Sequence, residues 1–248
     1  MRRPRARCRP QSNNDRPLVF NAGMQRLLLT ALTAALILAA PAASSAKIME
    51  VGEVSTKPVA SCPTSPCEVI SRTTAYQTRI GGLRNMFVVP RDGRIVAWSI
   101  ALGKPGKKQT KYFEENLGGA AQAGITVLKP GDRLFGRVLA QGPMQALTPW
   151  FGQTVQFPLT TSIAVKKGSI IALSVPTCAP ALALGLGRDH VWRASRDVDA
   201  CDDTQTQSVQ IDVRDLTRYK CAYRTARLSY SATLITTPVP PDPPKTKP

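Results

Sequence analysis

His190 is the chain's single histidine, so any Ser-His or Cys-His scheme must use it. It lies in Gly187-Arg188-Asp189-His190-Val191-Trp192, and adjacency to Asp189 does not make a triad. Glu114 and Glu115 are neighbours, so on an extended segment they point to opposite sides. A glycosidase instead needs two carboxylates facing each other across a cleft. No Gly-x-Ser-x-Gly elbow, His-Glu-x-x-His pair or Walker-type loop occurs, and Gly185-Leu186-Gly187 is too little for a nucleotide fingerprint. The densest acidic stretch, Asp197-Val198-Asp199-Ala200-Cys201-Asp202-Asp203, has oxygen ligands of the kind calcium takes. Asp197, Asp199, Asp202 and Asp203 are its candidate ligands. The stretch departs from an EF-hand loop: the sixth place is not glycine, and Ser208 stands where a bidentate Glu belongs. No cofactor is expected.

Two patterns suit binding better than catalysis. Lys104, Lys107, Lys108 and Lys111 fall within eight residues, in a stretch read as a basic surface loop from Gly103 to Lys111. Trp150-Phe151, between Pro149 and Gly152, lies where a loop enters a strand. An exposed Trp there would stack on sugars, and a buried member of the pair would plug the core. Tyr112–Ala123 reads as a long loop with one turn at most, because Gly118-Gly119 opposes a helix.

An N-terminal apolar run places these residues outside the cytoplasm. Leu27–Ala43 follows Met24-Gln25-Arg26 and ends in small residues through Ala46, the pattern of a secretory signal peptide over 24–46. Retention as a membrane anchor is the alternative, since roughly 17–25 apolar residues span a bilayer. Residues 1–23 read as a dispensable upstream extension, with Met24 the expected start. Removing residues 1–46 takes away seven arginines and one aspartate from a net charge of +17, leaving +11. Such a balance favours polyanions: an acidic wall polymer or glycan, or anionic lipid heads. Specific nucleic-acid recognition is not expected, because the basic stretch lacks interleaved aromatics.

Cysteine use agrees with an oxidising compartment. Cys62 and Cys67 enclose a tight Pro63-Thr64-Ser65-Pro66 loop, and Cys201 and Cys221 flank a polar stretch. These two pairs are read as disulfides, which leaves Cys178 as a buried thiol. Zinc has no Cys-x-x-Cys or His-x-His pair to hold it.

The elements that must position these residues are strands. Arg94–Leu102 alternates, with Val96, Trp98, Ile100 and Leu102 expected on the core face, and Pro90-Arg91-Asp92-Gly93 before it signals a hairpin. Thr225–Ile235 alternates more clearly, placing Ala226, Leu228, Tyr230, Ala232 and Leu234 inward. Further strands are expected at Thr74–Ile80, Arg84–Val89, Gly124–Leu128, Leu134–Gln141, Gln153–Leu159, Ser169–Val175 and Gln207–Val213. Frequent turns between them indicate an all-β, antiparallel, jelly-roll-like β-sandwich of about 8–10 strands over residues 47–236. The Pro/Lys-rich tail, 237–248, including Lys245 and Lys247, reads as an extended arm.

Trp150–Leu159, Val165–Leu173 and Thr225–Leu234 together resemble uncharacterised secreted β-sandwich proteins of high-GC Gram-positive bacteria. Val165–Leu173 also resembles a turn-and-strand pattern of carbohydrate-binding jelly rolls. The resemblance implies secretion and the sandwich and carries over no site residue. The expected function is a secreted or envelope-associated, non-catalytic binding or structural module. A secreted hydrolase using His190 or the aspartates is the alternative.

Overall fold

The computed structural model describes residues 45–53 and 59–238. The expected leader up to residue 44 and the tail from 239, with Lys245 and Lys247, lie outside the described residues. Ser44–Pro240 forms one compact unit.

Short alternating segments punctuated by glycine and proline become antiparallel strands because each has one face to bury. The smaller sheet has the order β1 (Ile48–Val51), β15 (Tyr230–Thr236), β4 (Gly93–Ala101), β8 (Thr154–Val165). The larger runs β12 (Leu216–Arg218), β6 (Phe135–Gln141), β5 (Gln122–Pro130), β9 (Ile170–Ala179), β2 (Ile70–Ile80), β11 (Val191–Ala194), β13 (Cys221–Arg224). β3 (Leu83–Arg84) on β2 and β7 (Gln145–Ala146) on β5 complete it, and β10 (Leu182–Ala183) with β14 (Arg227–Leu228) makes a separate two-stranded sheet. The protein is therefore an all-β sandwich.

Its core lies between the sheets. Trp98, Ile100 and Leu234 meet Ile125, Ile171 and Leu173 there, all fully buried. Tyr230 crosses the gap. Its hydroxyl donates to the Ile171 carbonyl at 2.9 Å, and its ring lies 4.4 Å from that of Phe87. Gln77, buried on β2, joins β2 to β14: its Oε1 accepts the Leu228 N–H at 2.9 Å, and its Nε2 donates to the carbonyls of Ala226 and Arg79.

The last strand keeps the expected register, with Leu228, Tyr230, Ala232 and Leu234 buried, although it divides at Ser229 between two sheets. β4 departs from its pattern. Ala97 pairs with Thr233 and Ile95 with Leu234, so Val96 is an extra, bulged residue. A bulge reverses the alternation. Ile95 is therefore buried beside Trp98 and Ile100, while Val96, expected inward, is only half-buried.

Three further expectations are corrected. Pro90–Gly93 is not a hairpin. Phe87–Val89 bonds to the start of β9 and the chain then crosses to the other sheet, so the turn joins sheets rather than paired strands. For the same reason Arg84–Val89 is a strand only at Arg84, with a lone bridge at Val88. Gln207–Val213 is a strap, not a strand. Apart from a lone bridge at Ser208, whose N–H donates to the Arg72 carbonyl at 3.0 Å, its backbone bonds to side chains: the Gln210 N–H donates to the Thr74 hydroxyl at 2.8 Å, and the Ser208 carbonyl accepts from the Ser195 hydroxyl. Beneath it runs a buried row of hydroxyls across three strands, Thr126 to Ser174 at 2.5 Å and Ser174 to Thr74 at 2.6 Å. Buried hydroxyls are tolerated because each has a partner.

Both disulfides form as spaced: Cys62–Cys67 and Cys201–Cys221, with Cα separations of 4.5 and 5.4 Å. Cys178 is a buried free thiol. Among the described residues, no helix is long and apolar enough to cross a membrane.

Candidate functional site

The basic segment is helical, which corrects the loop reading of both Gly103–Lys111 and Tyr112–Ala123. Helix α1 spans Lys107–Asn116. Gly106 caps it, and the Gln109 side chain folds back to accept the Gly106 N–H at 2.7 Å. Gly118 and Gly119 do not prevent the helix. They end it, with φ of 92° and 108°, a left-handed conformation glycine adopts without a Cβ clash. Its inward side is Thr110, Phe113, Glu114 and, just beyond, Leu117, at helical spacing.

Lys104, Lys107, Lys108, Lys111 and Tyr112 all face solvent. The lysines crowd the N-terminal end, with no acidic residue in the first turn and no basic one in the last. Both choices oppose the helix dipole, at roughly 0.3–1 kcal/mol per charge. Lys111 reaches Glu115 at 3.7 Å, an exposed pair of little weight.

Tertiary contacts bring the expected aromatics to this helix. Gly103 accepts the Gly152 N–H at 3.1 Å, and a Cβ on Gly152 would lie 3.2 Å from the Lys104 Cβ. Lys104 thus lies against the turn holding Trp150 and Phe151. Phe151 and Phe113 line a small cavity of about 10 Å³ with Cys178 and Glu114. Phe151 is the core plug, whereas Trp150 stays 39% exposed with its ring edge-on to Phe157 at 6.2 Å. From the other side, Gln109 Nε2 donates to the Pro63 carbonyl at 3.3 Å, fixing the Cys62–Cys67 loop against the helix entry. All six sequence-expected ligand-binding residues therefore share one end of the sandwich. Tyr112 joins them, and the sequence reading missed it by placing it in a loop. The signal was its position four residues after Lys108.

The candidate catalytic groups are not brought together. His190 Nδ1 lies 3.3 Å from Asp189, just before β11, whose Val191 pairs with Arg79 at one end of β2. Glu114 lies beside Cys178, at the other end of β2, where Ser71 pairs with Cys178. Burial, with help from the nearby Glu114 carboxylate, pushes the Cys178 thiol up to about 11. At neutral pH it is protonated and a poor nucleophile.

Nor do the four aspartates converge. Among the described residues, no three His, Cys, Asp or Glu side chains form a group able to hold a metal. Asp203 turns its carboxylate onto the Thr206 hydroxyl and the amides of Gln205 and Thr206, which hold it below the usual carboxylate range. Asp199 lies in a single 3-10 turn, Val198–Ala200. Of the other large aromatics, Trp98 is core, and Trp192 is buried and stacked on Tyr223 at 4.1 Å.

No family model, curated protein or solved structure matches the chain.

Proposed function

We infer that the protein is a non-catalytic, secreted or envelope-associated binding module whose α1 end holds an acidic envelope polymer or glycan. One observation carries this reading: four solvent-facing lysines and the exposed rings of Tyr112 and Trp150 lie at one end of the sandwich. Lysines contact the acidic groups, and an exposed ring offers a stacking surface to a sugar. Two disulfides suit an oxidising compartment. Pairing in the sandwich begins at Lys47, whose carbonyl accepts the Thr236 N–H at 2.9 Å, one residue past the expected cleavage point.

The test is binding of the Ser44–Pro240 unit to purified anionic wall polymer at low and high salt. Screening acts over about 8 Å at physiological ionic strength, so binding should fade as salt rises. Replacing Lys104, Lys107, Lys108 and Lys111 by Ser removes about 2 kcal/mol at typical exposed-pair strengths, roughly thirtyfold in affinity. The melting temperature should change little, since relief of the charge–dipole opposition and loss of lysine's helix propensity are similar in size and opposite in sign. A quadruple variant that binds as the parent does refutes the reading.

A further inference from the structure

The larger sheet has more strands than the smaller, and β6 and β12 stand at one end of its order, with Phe135, Arg137, Leu216 and Arg218 exposed there. Along β6, Gly136 and Val138 turn one way, toward Tyr219, Leu128 and Ala172. By alternation Phe135 and Arg137 turn the other way, the side of the sheet on which Val127 and Ile171 join the main core. Here that side is open. Residues directly opposite in an antiparallel pair share a face, and the register sets Phe135 against Arg218 and Arg137 against Leu216. The face is thus a checkerboard of arginine and apolar side chains. The Arg218 guanidinium stands 5.6 Å over the Phe135 ring. Lys129 on β5 extends the pattern opposite Arg137.

Leu134, Phe135, Leu139, Val213 and Leu216 are five of the twelve large exposed hydrophobic residues among those described. Arg133, Arg137, Arg214 and Arg218 are exposed among them. The acidic groups nearby are Asp132, Asp212 and Asp215, and Asp215 Oδ2 is occupied by the Asp212 N–H at 3.0 Å. Backbone strain concentrates here as well. Arg133, Leu134 and Arg214 have φ of 52°, 68° and 86°, half of the six non-glycine residues with positive φ among the described residues. Such strain persists where the surroundings hold it, and it clusters at functional surfaces. The Arg133 carbonyl accepts from Arg218 Nε at 3.0 Å, and the Arg214 carbonyl from Arg137 Nη1 at 3.2 Å, so the arginines brace one another's turns.

We propose that this rim docks on an anionic bilayer surface, its arginines on the headgroup phosphates and Phe135 and Leu216 at the acyl boundary. Arginine matches phosphate geometry and sits well beside aromatic rings. Charge complementarity selects this occupant. Five cations against the three aspartates leave the rim a net +2, so a second copy of the same face would oppose like charge to like, whereas an anionic leaflet attracts it. The surface is distinct from the α1 face. Phe135 and Gly136 lie at the Pro130 end of β5, and α1 adjoins the Ala121 end.

The experiment uses the Ser44–Pro240 unit, which carries both sheets and both disulfides and omits the apolar leader. Its sedimentation is measured with phosphatidylcholine vesicles, with and without phosphatidylglycerol. Binding is expected only with the anionic lipid. Arg137→Ser with Arg218→Ser should weaken it about 25-fold, at roughly fivefold per surface cation. Phe135→Ser with Leu216→Ser should weaken it several-fold, with Leu216→Ser alone as the alternative if that pair does not fold. The α1 quadruple lysine variant should bind vesicles as the parent does. Any of four results overturns the proposal: no binding to anionic vesicles, full binding by the apolar variants, loss of binding in the α1 variant, or displacement by soluble polyglycerol phosphate.

Discussion

Removing the Cys201–Cys221 bridge, which ties half-buried Cys201 to buried Cys221, should cost about 3 kcal/mol. The bond closes a 21-residue loop, since its cysteines are 20 apart in sequence. On the chain-entropy estimate, freeing a loop of that size in the unfolded state is worth about 3 kcal/mol, against about 2 kcal/mol for the short Cys62–Cys67 loop. The native state keeps most of its hold on the segment. Arg196 still donates to the Ser71 carbonyl, Cys221 still pairs with Ala194, and the strap still bonds to Thr74. The loss should therefore appear as a looser unfolded chain. Cys201→Ala with Cys221→Ala should lower the urea midpoint and raise the m-value, while a fall of about 6–12 °C in Tm is expected for a domain of this size. Cys62→Ala with Cys67→Ala should cost less. The reasoning fails if the first pair costs under about 1 kcal/mol, or if the short loop proves the costlier of the two.

Gln77→Leu keeps the volume but deprives the buried Leu228 N–H and the Ala226 carbonyl of their partners. At about 1–3 kcal/mol for each buried group left unsatisfied, a loss of about 3 kcal/mol is expected by urea unfolding; a loss below about 1 kcal/mol would show that Gln77 does not join β2 to β14. Cys178, with its thiol near 11 and 2% exposed, should resist alkylation at pH 8 in the native protein and react on unfolding in urea; rapid native labelling would show that the α1 end opens readily.

Some of this molecule is written locally. Alternation over Thr225–Ile235 assigns an inward face because a one-residue slip would expose Leu228 and Leu234. The cysteine spacings specify both bridges because the remaining thiol lies in an apolar stretch. The basic stretch and the Trp-Phe pair were visible as separate candidates. Helix α1 was hidden because it is short and polar, and its glycines were weighed as breakers rather than as its end.

What only the tertiary structure decided are relations across the chain. The Val96 bulge is set by what β15 and β8 offer on either side of β4, so no pattern within Arg94–Leu102 could announce it. Lys104 and the turn that holds Trp150 are far apart in sequence, and they are brought together because Gly103 bonds to Gly152. Phe135-Gly136-Arg137-Val138 also alternates, but which of its faces is covered is decided by Tyr219, which comes from far along the chain to pack on the Gly136 and Val138 side. Periodicity reports that a segment has two unlike faces, and only packing determines which face meets another layer and which meets solvent.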